Sequence, residues 1–448
     1  MNPDDKATLP ADTVAIPASD AQAPALQWKP VISWAMYDWA NSAYATTVMA
    51  GFFPIFLKDF YCPADMPVTE SSFRLGMANS ITGIVVAALA PVLGAIADRG
   101  GAKKKFLLFF ATLGVVMTAG LYFVAKGHWG AALTLYALAT MGFSGANVFY
   151  DSLLVGVAPE KKFDFVSALG YSLGYLGGGL LFGFNVWMVQ HPETFGLAAA
   201  SDAVRWAFLL TGIWWAVFSV PLLLFVREPR DKVEAFGGWA TVAAGFRQLR
   251  DTFREVRKLR IVFLFLIAYW LYIDGVDTIV LMAVDYGKEL HFDTTNLIIA
   301  VLITQFVGFP AAIAFGKIGE KLGARAGIFI GLVVYAGVTV YGYSMDNVKE
   351  FYVLAVVIGL VQGGVQSLSR ALYGRLIPKD KAAEFFGFYN MLGKFAAIIG
   401  PLLMGVAGKM TGNPRVGILA IIPLFIGGGL MLMFVRPGGN AEKSEMGA

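Results

Sequence analysis

Gly94-Ala-Ile-Ala-Asp98-Arg99-Gly100-Gly101-Ala102-Lys103-Lys104-Lys105 joins two long apolar runs, which extend over residues 72–97 and 106–125. Each run is long enough to cross a bilayer as a helix. A short basic connection between two spans is typical of a loop on the cytoplasmic face of a membrane. We therefore predict a helical hairpin with a cytoplasmic tip. Its candidate gating residues are Gly94, Asp98, Arg99, Gly101, Lys103 and Lys104.

A second copy of this loop reads Gly316-Lys-Ile-Gly-Glu320-Lys321-Leu-Gly323-Ala-Arg325. It keeps the glycine spacing and the sign of each charge, with Glu320 for the aspartate and Lys321 for the first arginine. The two copies are separated by about half of the chain, which indicates an internal duplication. The candidate gating residues of this copy are Glu320, Lys321 and Arg325.

The repeated signature resembles the loop between spans 2 and 3 of major facilitator transporters, which recurs between spans 8 and 9. The resemblance implies an all-α integral membrane protein with twelve transmembrane helices in two pseudo-symmetric six-helix halves. It also implies transport by alternating access, in which the halves expose a central site to one side of the membrane and then to the other.

The composition excludes a soluble domain. Of the 448 residues, 57% are hydrophobic and 15% are charged, and the mean hydropathy is +0.64. A soluble domain carries about 25% charged residues, so lipid must cover the apolar surface. The net charge of +4 lies largely in predicted inner loops, which is typical of cytoplasmic loops and not of a nucleic-acid-binding surface. The expected partners are the lipid bilayer and a small-molecule substrate.

Motifs for nucleotide, metal or covalent chemistry are missing from the sequence. No P-loop, HExxH or GxSxG pattern lies in a span, and the three histidines are far apart. The single cysteine, Cys62, has no partner for an internal disulfide. We therefore expect no enzymatic activity and no bound metal or cofactor, and we expect the protein to act as a monomer.

Hydropathy predicts twelve spans, six in an N-terminal half at 31–226 and six in a C-terminal half at 261–436. Residues 1–30 and 437–448 are predicted to be cytoplasmic tails. Residues 227–260 are predicted to be a cytoplasmic linker with a basic amphipathic helix, or alternatively a solvated linker without one. The predicted spans are 31–57, 72–97, 106–125, 131–158, 165–189, 204–226, 261–284, 296–315, 327–343, 352–377, 385–409 and 416–435.

The distribution of lysine and arginine over the loops predicts the orientation. Loops on the side of the repeated signature carry more bases than the opposite loops, so both termini are expected in the cytoplasm. Short loops and the lack of any Asn-x-Ser/Thr sequon favour a bacterial inner membrane.

Polar residues inside the spans are the candidates for a functional site, because an ionisable group in the membrane costs several kcal/mol. Span 1 carries Asp38 and Asn41, and span 7 carries Asp274 and Asp277, each pair spaced i, i+3 on one helix face. If the halves are repeats, the two pairs are equivalent.

Spans 4 and 10 carry an acid and a base at matching depth. Asp151 and Arg370 each lie eight residues before a proline, and Asn147 and Gln366 lie one turn away on the same faces. In major facilitators, spans 1, 4, 7 and 10 line the central cavity. The resemblance therefore implies a central polar site formed by these residues, with Trp34, Tyr37 and Trp270 as candidate aromatic walls. The alternative is that Asp151 and Arg370 form a structural pair, or that Asp38 belongs to a packing network.

The stretches Trp34-Ala-Met-Tyr-Asp38-Trp-Ala-Asn41 and Gln362-Gly-Gly-Val-Gln366-Ser-Leu-Ser-Arg370 resemble a bacterial subfamily related to the fungal vacuolar amino-acid effluxer of the autophagy pathway. Amino acids are therefore a candidate substrate class, with Asp38 or Asp274 for the ammonium group and Arg370 for the carboxylate. The buried carboxylates favour proton coupling. The alternatives are a uniporter, an exporter of another small metabolite or drug, or a membrane sensor that does not transport.

Overall fold

The computed structural model describes residues 26–228, 259–395 and 399–435, and these residues form helices and short connections without any strand. The predicted amphipathic helix of the linker and almost all of both predicted tails lie outside the described residues. The helices are α1 Trp28–Ala43, α2 Val68–Gly100, α3 Lys103–Gly120, α4 Trp129–Val157, α5 Phe163–Gln190, α6 Ala200–Phe225, α7 Arg260–Glu289, α8 Thr294–Leu322, α9 Ala324–Tyr343, α10 Val348–Leu376, α11 Ala382–Phe395, α12 Ile399–Thr411, α13 Pro414–Leu419 and α14 Ile422–Met433.

Ten helical stretches in the described part of the chain are long and apolar enough to cross a membrane. The predicted spans 1 and 11 are not among them, because α1 has only 16 residues and because residues 396–398 of span 11 lie outside the described part of the chain. Beyond α1, the chain continues as a π-helix over Tyr44–Phe52, a short α-helical turn and a second π-helix over Leu57–Tyr61. Span 11 consists of α11 and α12, which flank residues 396–398.

The repeated signature is helical over most of its length, which corrects the prediction of a loop. Helix α2 continues to Gly100 and α3 begins at Lys103, so that only two residues connect them. Gly101 adopts φ 53° and Gly323, between α8 and α9, adopts φ 86°. A glycine with positive φ ends a helix readily, and the basic residues beside it are good helix formers. The helices therefore extend past the apolar runs.

Two separate hydrophobic cores fill the protein. One is formed mainly by residues of α1–α6, with a few from the later chain, and the other by residues of α7–α14. We call these groups of helices the first half and the second half. Large apolar side chains such as Leu224, Val333 and Leu402 are exposed on the outside of both halves, as expected for a surface that faces lipid.

The two halves meet mainly along two helix pairs, α2 with α11 and α5 with α8, and also where α10 meets α5 and α11 meets α4. We call the end of the molecule that holds residues 101–102, 158–162 and 377–381 the basic end, because it carries Lys161, Lys162, Lys379 and Lys381. The other end is called the opposite end. Helix α1 begins at the basic end at Trp28, three residues earlier than predicted.

Candidate functional site

Arg370 on α10 lies between the halves and is almost completely buried, with 2% of its side chain exposed. Its Nη1 donates to Asp151 Oδ1 at 3.0 Å and to Asp38 Oδ2 at 3.4 Å, and its Nη2 donates to Asp38 Oδ2 at 3.3 Å. Its Nε donates to Ser167 Oγ at 2.8 Å, and Nη2 also donates to the Ser167 carbonyl at 2.9 Å. These five hydrogen bonds match the five N–H groups of a guanidinium. All of the acceptors belong to the first half.

Three aromatic rings surround the same guanidinium. The Arg370 Cζ lies 4.4 Å from the ring centre of Tyr171, 4.9 Å from that of Trp34 and 5.3 Å from that of Tyr150. Trp34 stacks on Tyr150 and donates from Nε1 to its carbonyl at 3.0 Å. Cation–π attraction is strongest where water is excluded, so these rings hold the charge in place. Trp34, predicted to be a cavity wall, packs against the cluster.

The two carboxylates that bind Arg370 differ in how many of their oxygens are occupied. Asp151 uses both, because Oδ2 accepts from Asn390 Nδ2 of α11 at 3.0 Å. Asp38 receives every one of its hydrogen bonds on Oδ2, including one from the Tyr150 hydroxyl at 2.8 Å. No hydrogen bond within the described residues reaches Asp38 Oδ1, and 13% of this side chain is exposed. Asp38 therefore retains one oxygen for a proton or a ligand.

Gly170 on α5 makes the convergence of these helices possible. A methyl group added at this position would lie 2.6 Å from Asp38 Oδ2, 2.9 Å from the Tyr150 hydroxyl and 3.0 Å from Arg370 Nη2. A larger residue here would therefore push the charged groups apart.

The other predicted residues of spans 1, 4 and 10 lie near the cluster but outside it. Asn41 donates to Asn147 Oδ1 at 2.5 Å and joins α1 to α4 within the first half. Tyr37 is fully buried, with its ring 5.0 Å from that of Tyr150. Gln366 is half-buried one turn before Arg370.

The structure does not bring Asp274 to Arg370. Asp274 Oδ2 accepts from the Ile399 backbone N–H at 3.1 Å, and Oδ1 accepts from Gly400 N–H at 2.9 Å and from the Thr278 hydroxyl at 3.3 Å. The carboxylate thus binds the first N–H groups of α12, which have no partner within their own helix. Its predicted role in substrate binding does not fit this geometry, because both oxygens are occupied by a helix end.

The remaining predicted residues of span 7 are less buried. Asp277 is half-buried and lies within electrostatic range of Tyr171 and Tyr175 of α5. Trp270 is half-buried as well, and its Nε1 makes no hydrogen bond within the described chain.

Replacing Gly400 with alanine is expected to destabilise the protein by about 1–3 kcal/mol, the usual cost of overpacking. The new methyl group would lie 2.9 Å from Asp274 Oδ1 and 2.8 Å from Thr278 Cβ, and would disturb the bonds that hold the start of α12. Thermal unfolding in detergent measures this effect. Gly405→Ala on the same helix is the control, because no atom lies within 4 Å of its added methyl group. Equal melting temperatures for the two variants would contradict the capping role of Asp274.

At the basic end, Asp98 binds the start of α11 in the other half. Its Oδ1 accepts from Ala383 N–H at 3.1 Å and its Oδ2 from Glu384 N–H at 2.8 Å, while Lys103 Nζ lies 2.8 Å from Oδ1. Gly94 permits this contact, because an added methyl group would collide with the backbone of Ala383. The predicted gating residues Gly94 and Asp98 are thus at an interface between the halves.

Two other bases of the repeated signature bind helix ends in their own halves. Lys104 Nζ donates to the carbonyls of Leu223 and Val226, each at 2.7 Å, at the end of α6. Arg325 donates to the Val435 carbonyl at 3.0 Å, at the end of α14. Positive groups stabilise helix C-termini, so Lys104 and Arg325 have similar roles, although the base that matches Arg325 in the repeat is Lys103.

Glu320 accepts from Lys162 of the first half at 2.8 Å. Arg99 and Lys321 are exposed.

Most of the chain matches one known protein family. Residues 60–163 and 159–443 match the family described as "Vacuole effluxer Atg22 like". The chain belongs to the Atg22-like family. An uncharacterized MFS-type transporter of Bacillus subtilis (strain 168), YxiO, is 40% identical to this Atg22-like chain over 422 residues, 92% of this chain and 96% of the relative. Autophagy-related protein 22 of Eremothecium gossypii is 24% identical over 464 residues, 88% of this chain and 90% of the relative.

Solved structures show the fold of this Atg22-like protein to be that of the major facilitator superfamily. The proton:xylose symporter XylE matches 91% of this chain and 96% of its own, with a TM-score of 0.69 at 14% identity. The human organic anion transporter MFSD10 matches 90% of this chain and 99% of its own, with a TM-score of 0.70 at 13% identity. Because its family and its relative YxiO are described as effluxers and transporters, the Atg22-like protein is an integral membrane transporter and not an enzyme.

Several residues of the cluster in this Atg22-like protein are not found by searching the spans for charge. Ser167, Tyr150, Tyr171 and Asn390 hold Arg370 or its carboxylates, but serine, tyrosine and asparagine are common in membrane helices. The available signal was position: Tyr150 precedes Asp151, and Ser167 lies one turn before Tyr171 on α5.

Proposed function

We propose that this Atg22-like protein is a proton-coupled secondary transporter that moves a small polar solute by alternating access, with amino acids as the first candidates. The family description names a vacuole effluxer, and fungal autophagy-related proteins are among the relatives, so efflux is a candidate direction of transport. We further propose that the basic end faces the cytoplasm of a bacterial cell, as the positive-inside rule requires.

The observation that carries the proposal is the single open oxygen of Asp38 in a buried cluster of two carboxylates and one guanidinium. Asp38 belongs to the first half and Arg370 to the second, so their contact links the halves. A proton on Asp38 Oδ1 would neutralise the carboxylate and weaken its attraction to Arg370. Proton binding would therefore loosen a contact that holds the halves together.

The occupancy of Arg370 supports an order of binding. Because its five N–H groups already have acceptors, a substrate carboxylate can bind only after one acceptor leaves. Asp38 is the acceptor with the longest bonds, at 3.3 and 3.4 Å. A proton on Asp38 would release these donors, and a carboxylate would then take its place. This order couples one proton to one solute molecule.

The packing at the basic end supports alternating access. Asp98 binds the start of α11 and residues near Gly94 contact its backbone, so α2 and α11 are closed there. This conformation corresponds to access from the opposite end. We infer that transport includes the release of this contact and the opening of the basic end.

Asp38→Asn is expected to reduce flux driven by a pH gradient by at least about tenfold, because the amide cannot take up a proton. The measurement is uptake of labelled amino acids into proteoliposomes with and without an imposed pH gradient. Asp202→Asn is the matched control, since this carboxylate lies partly exposed beside Arg205 at the start of α6.

The proposal makes two demands on that assay. Wild-type flux must rise with the pH gradient, and the Asp202→Asn protein must behave like the wild type. Flux that ignores the gradient would favour a uniporter, and an Asp38→Asn protein with normal coupled flux would contradict the role of Asp38 as the proton acceptor. If no amino acid is carried, the same assay with other small polar solutes identifies the substrate class.

A further inference from the structure

The contact between α5 and α8 crosses the whole thickness of the membrane-spanning region. The two helices run antiparallel and stay in register from Asp164 near the basic end to Gly183 near the opposite end. At a rise of 1.5 Å per residue this distance is about 28 Å, close to the thickness of the hydrocarbon core. The facing residues are Asp164 with Gly319, Ala168 with Gly316, Ser172 with Phe309, Tyr175 with Gly308, Gly179 with Gln305 and Gly183 with Leu302.

Polar bonds in the middle of this contact make it costly to open. Ser172 Oγ donates to the Phe309 carbonyl at 2.8 Å, and Gln305 Nε2 donates to Thr46 Oγ1 at 2.7 Å. Both bonds join the first half to the second. Separation of the helices at this depth would leave these groups without water or protein partners, which is unfavourable in a membrane.

The contact between α2 and α11 is about as extensive as that between α5 and α8, but it involves little of α12. Its tightest part extends from Asp98, which binds the start of α11, to Ala90 and Pro91, which contact Gly387. These nine positions of α2 cover about 12 Å. Closer to the opposite end, no atom lies within 4 Å of a methyl group added at Gly83 or Gly76.

The exposed residues of α2 agree with this picture. Ser80, Ile81 and Ile84 are exposed on one side of the helix, within an arc of about 100°, toward the opposite end. Within the described residues, α2 makes few contacts with α12, so the two helices are separated at the opposite end.

Internal duplication relates α2 to α8 and α5 to α11, so the two contacts occupy equivalent positions in the fold. They differ nevertheless, since one is closed at both ends and the other only at the basic end. We propose that the α5–α8 contact is a permanent hinge, and that the cavity opens and closes only on the side of α2 and α12. A symmetric rocking motion would have to break the α5–α8 contact at one end in every cycle.

Distances between pairs of spin labels test the proposal without any substrate. One pair, at Phe184 and Ile299, reports on the hinge at the opposite end. The other pair, at Met77 and Met410, reports on the open side. All four side chains are exposed. Cys62 is replaced by serine so that the labels are unique; burial raises the pKa of its thiol, which slows but does not prevent labelling.

Asp98→Ala removes the acceptor at the start of α11 and favours opening of the basic end. In this background the Met77–Met410 distance is expected to shorten by about 10 Å, the diameter of a helix. The Phe184–Ile299 distance is expected to change by less than about 2 Å, as for packed helices that only slide. Ala383→Pro is a second unlocking variant, because it removes one of the N–H groups that Asp98 binds while fitting a first helical turn.

Lys161→Ala is the matched control, since this base at the same end of the protein is exposed, and it should leave both distances as in the wild type. Two results would overturn the proposal. One is a Phe184–Ile299 distance that changes as much as the Met77–Met410 distance. The other is a Met77–Met410 distance that stays fixed in both unlocking variants. The inference rests on alternating access, but neither result depends on the solute or on proton coupling, so it can fail separately from the proposed function.

Discussion

Replacing Arg370 with alanine is expected to abolish transport and to destabilise the protein by about 3–5 kcal/mol, the usual cost of breaking a buried ion pair. The substitution removes five hydrogen bonds that join the halves. It also leaves Asp38 and Asp151 buried without a cation, and two carboxylates at close range repel each other. Thermal unfolding in detergent measures the loss of stability, and flux in proteoliposomes measures transport.

Two further variants separate stability from function. Arg370→Lys keeps the charge but has three donors in place of five and no planar fork, so it should recover part of the stability without restoring transport. A triple variant with Arg370→Leu, Asp38→Asn and Asp151→Asn leaves no charged side chain in the cluster. It should melt near the wild-type temperature while remaining inactive. Normal flux in Arg370→Ala would contradict a central role for the cluster.

Gly94→Ala is expected to reduce transport by at least about tenfold, because the added methyl group would lie 2.6 Å from the Ala383 carbonyl carbon and 2.8 Å from Glu384 Cα. Both neighbours are backbone atoms at the start of α11, which cannot rotate away as a side chain can. Overpacking of this kind costs about 1–3 kcal/mol. The whole cost falls on the conformation with a closed basic end, so the population of that conformation should decrease.

Gly83→Ala is the matched control on the same helix. No atom lies within 4 Å of its added methyl group, and alanine is the better helix former by about 1 kcal/mol. This variant should therefore transport normally and melt no lower than the wild type. If Gly94→Ala gave the same flux as Gly83→Ala, the tight contact of α2 with α11 would not matter for transport.

The fold followed from the sequence because a repeated motif is a strong signal. The two signatures around Asp98 and Glu320 predicted duplicated halves, and the solved structures confirm the fold. What the motif could not show is its local conformation. Its lysines suggested a loop, but charged residues also form helices, and only the positive φ of Gly101 and Gly323 marks where the helices end.

The candidate site was predictable in part. The sequence placed Asp151 and Arg370 at the same depth in the membrane. In the structure, Arg370 Nη1 lies 3.0 Å from Asp151 Oδ1. The i, i+3 spacing of Asp274 and Asp277 showed that they share a face, but spacing does not tell which neighbouring helix that face meets. Asp274 meets the backbone N–H groups of Ile399 and Gly400 in span 11, a contact that neither spacing nor hydropathy reveals.

The π-helix that follows α1 has a consequence for how this chain should be aligned with others. A π-turn contains more residues than an α-turn, so side chains beyond Ala43 are rotated from the directions that an unbroken α-helix would give them. This angular offset lets one helix serve two neighbours, with Asp38 directed at Arg370 of α10 and Thr46 at Gln305 of α8. A helical wheel that assumes an α-helix through residues 44–52 will therefore assign side chains to the wrong helix faces. The same holds for relatives that share this π-helix.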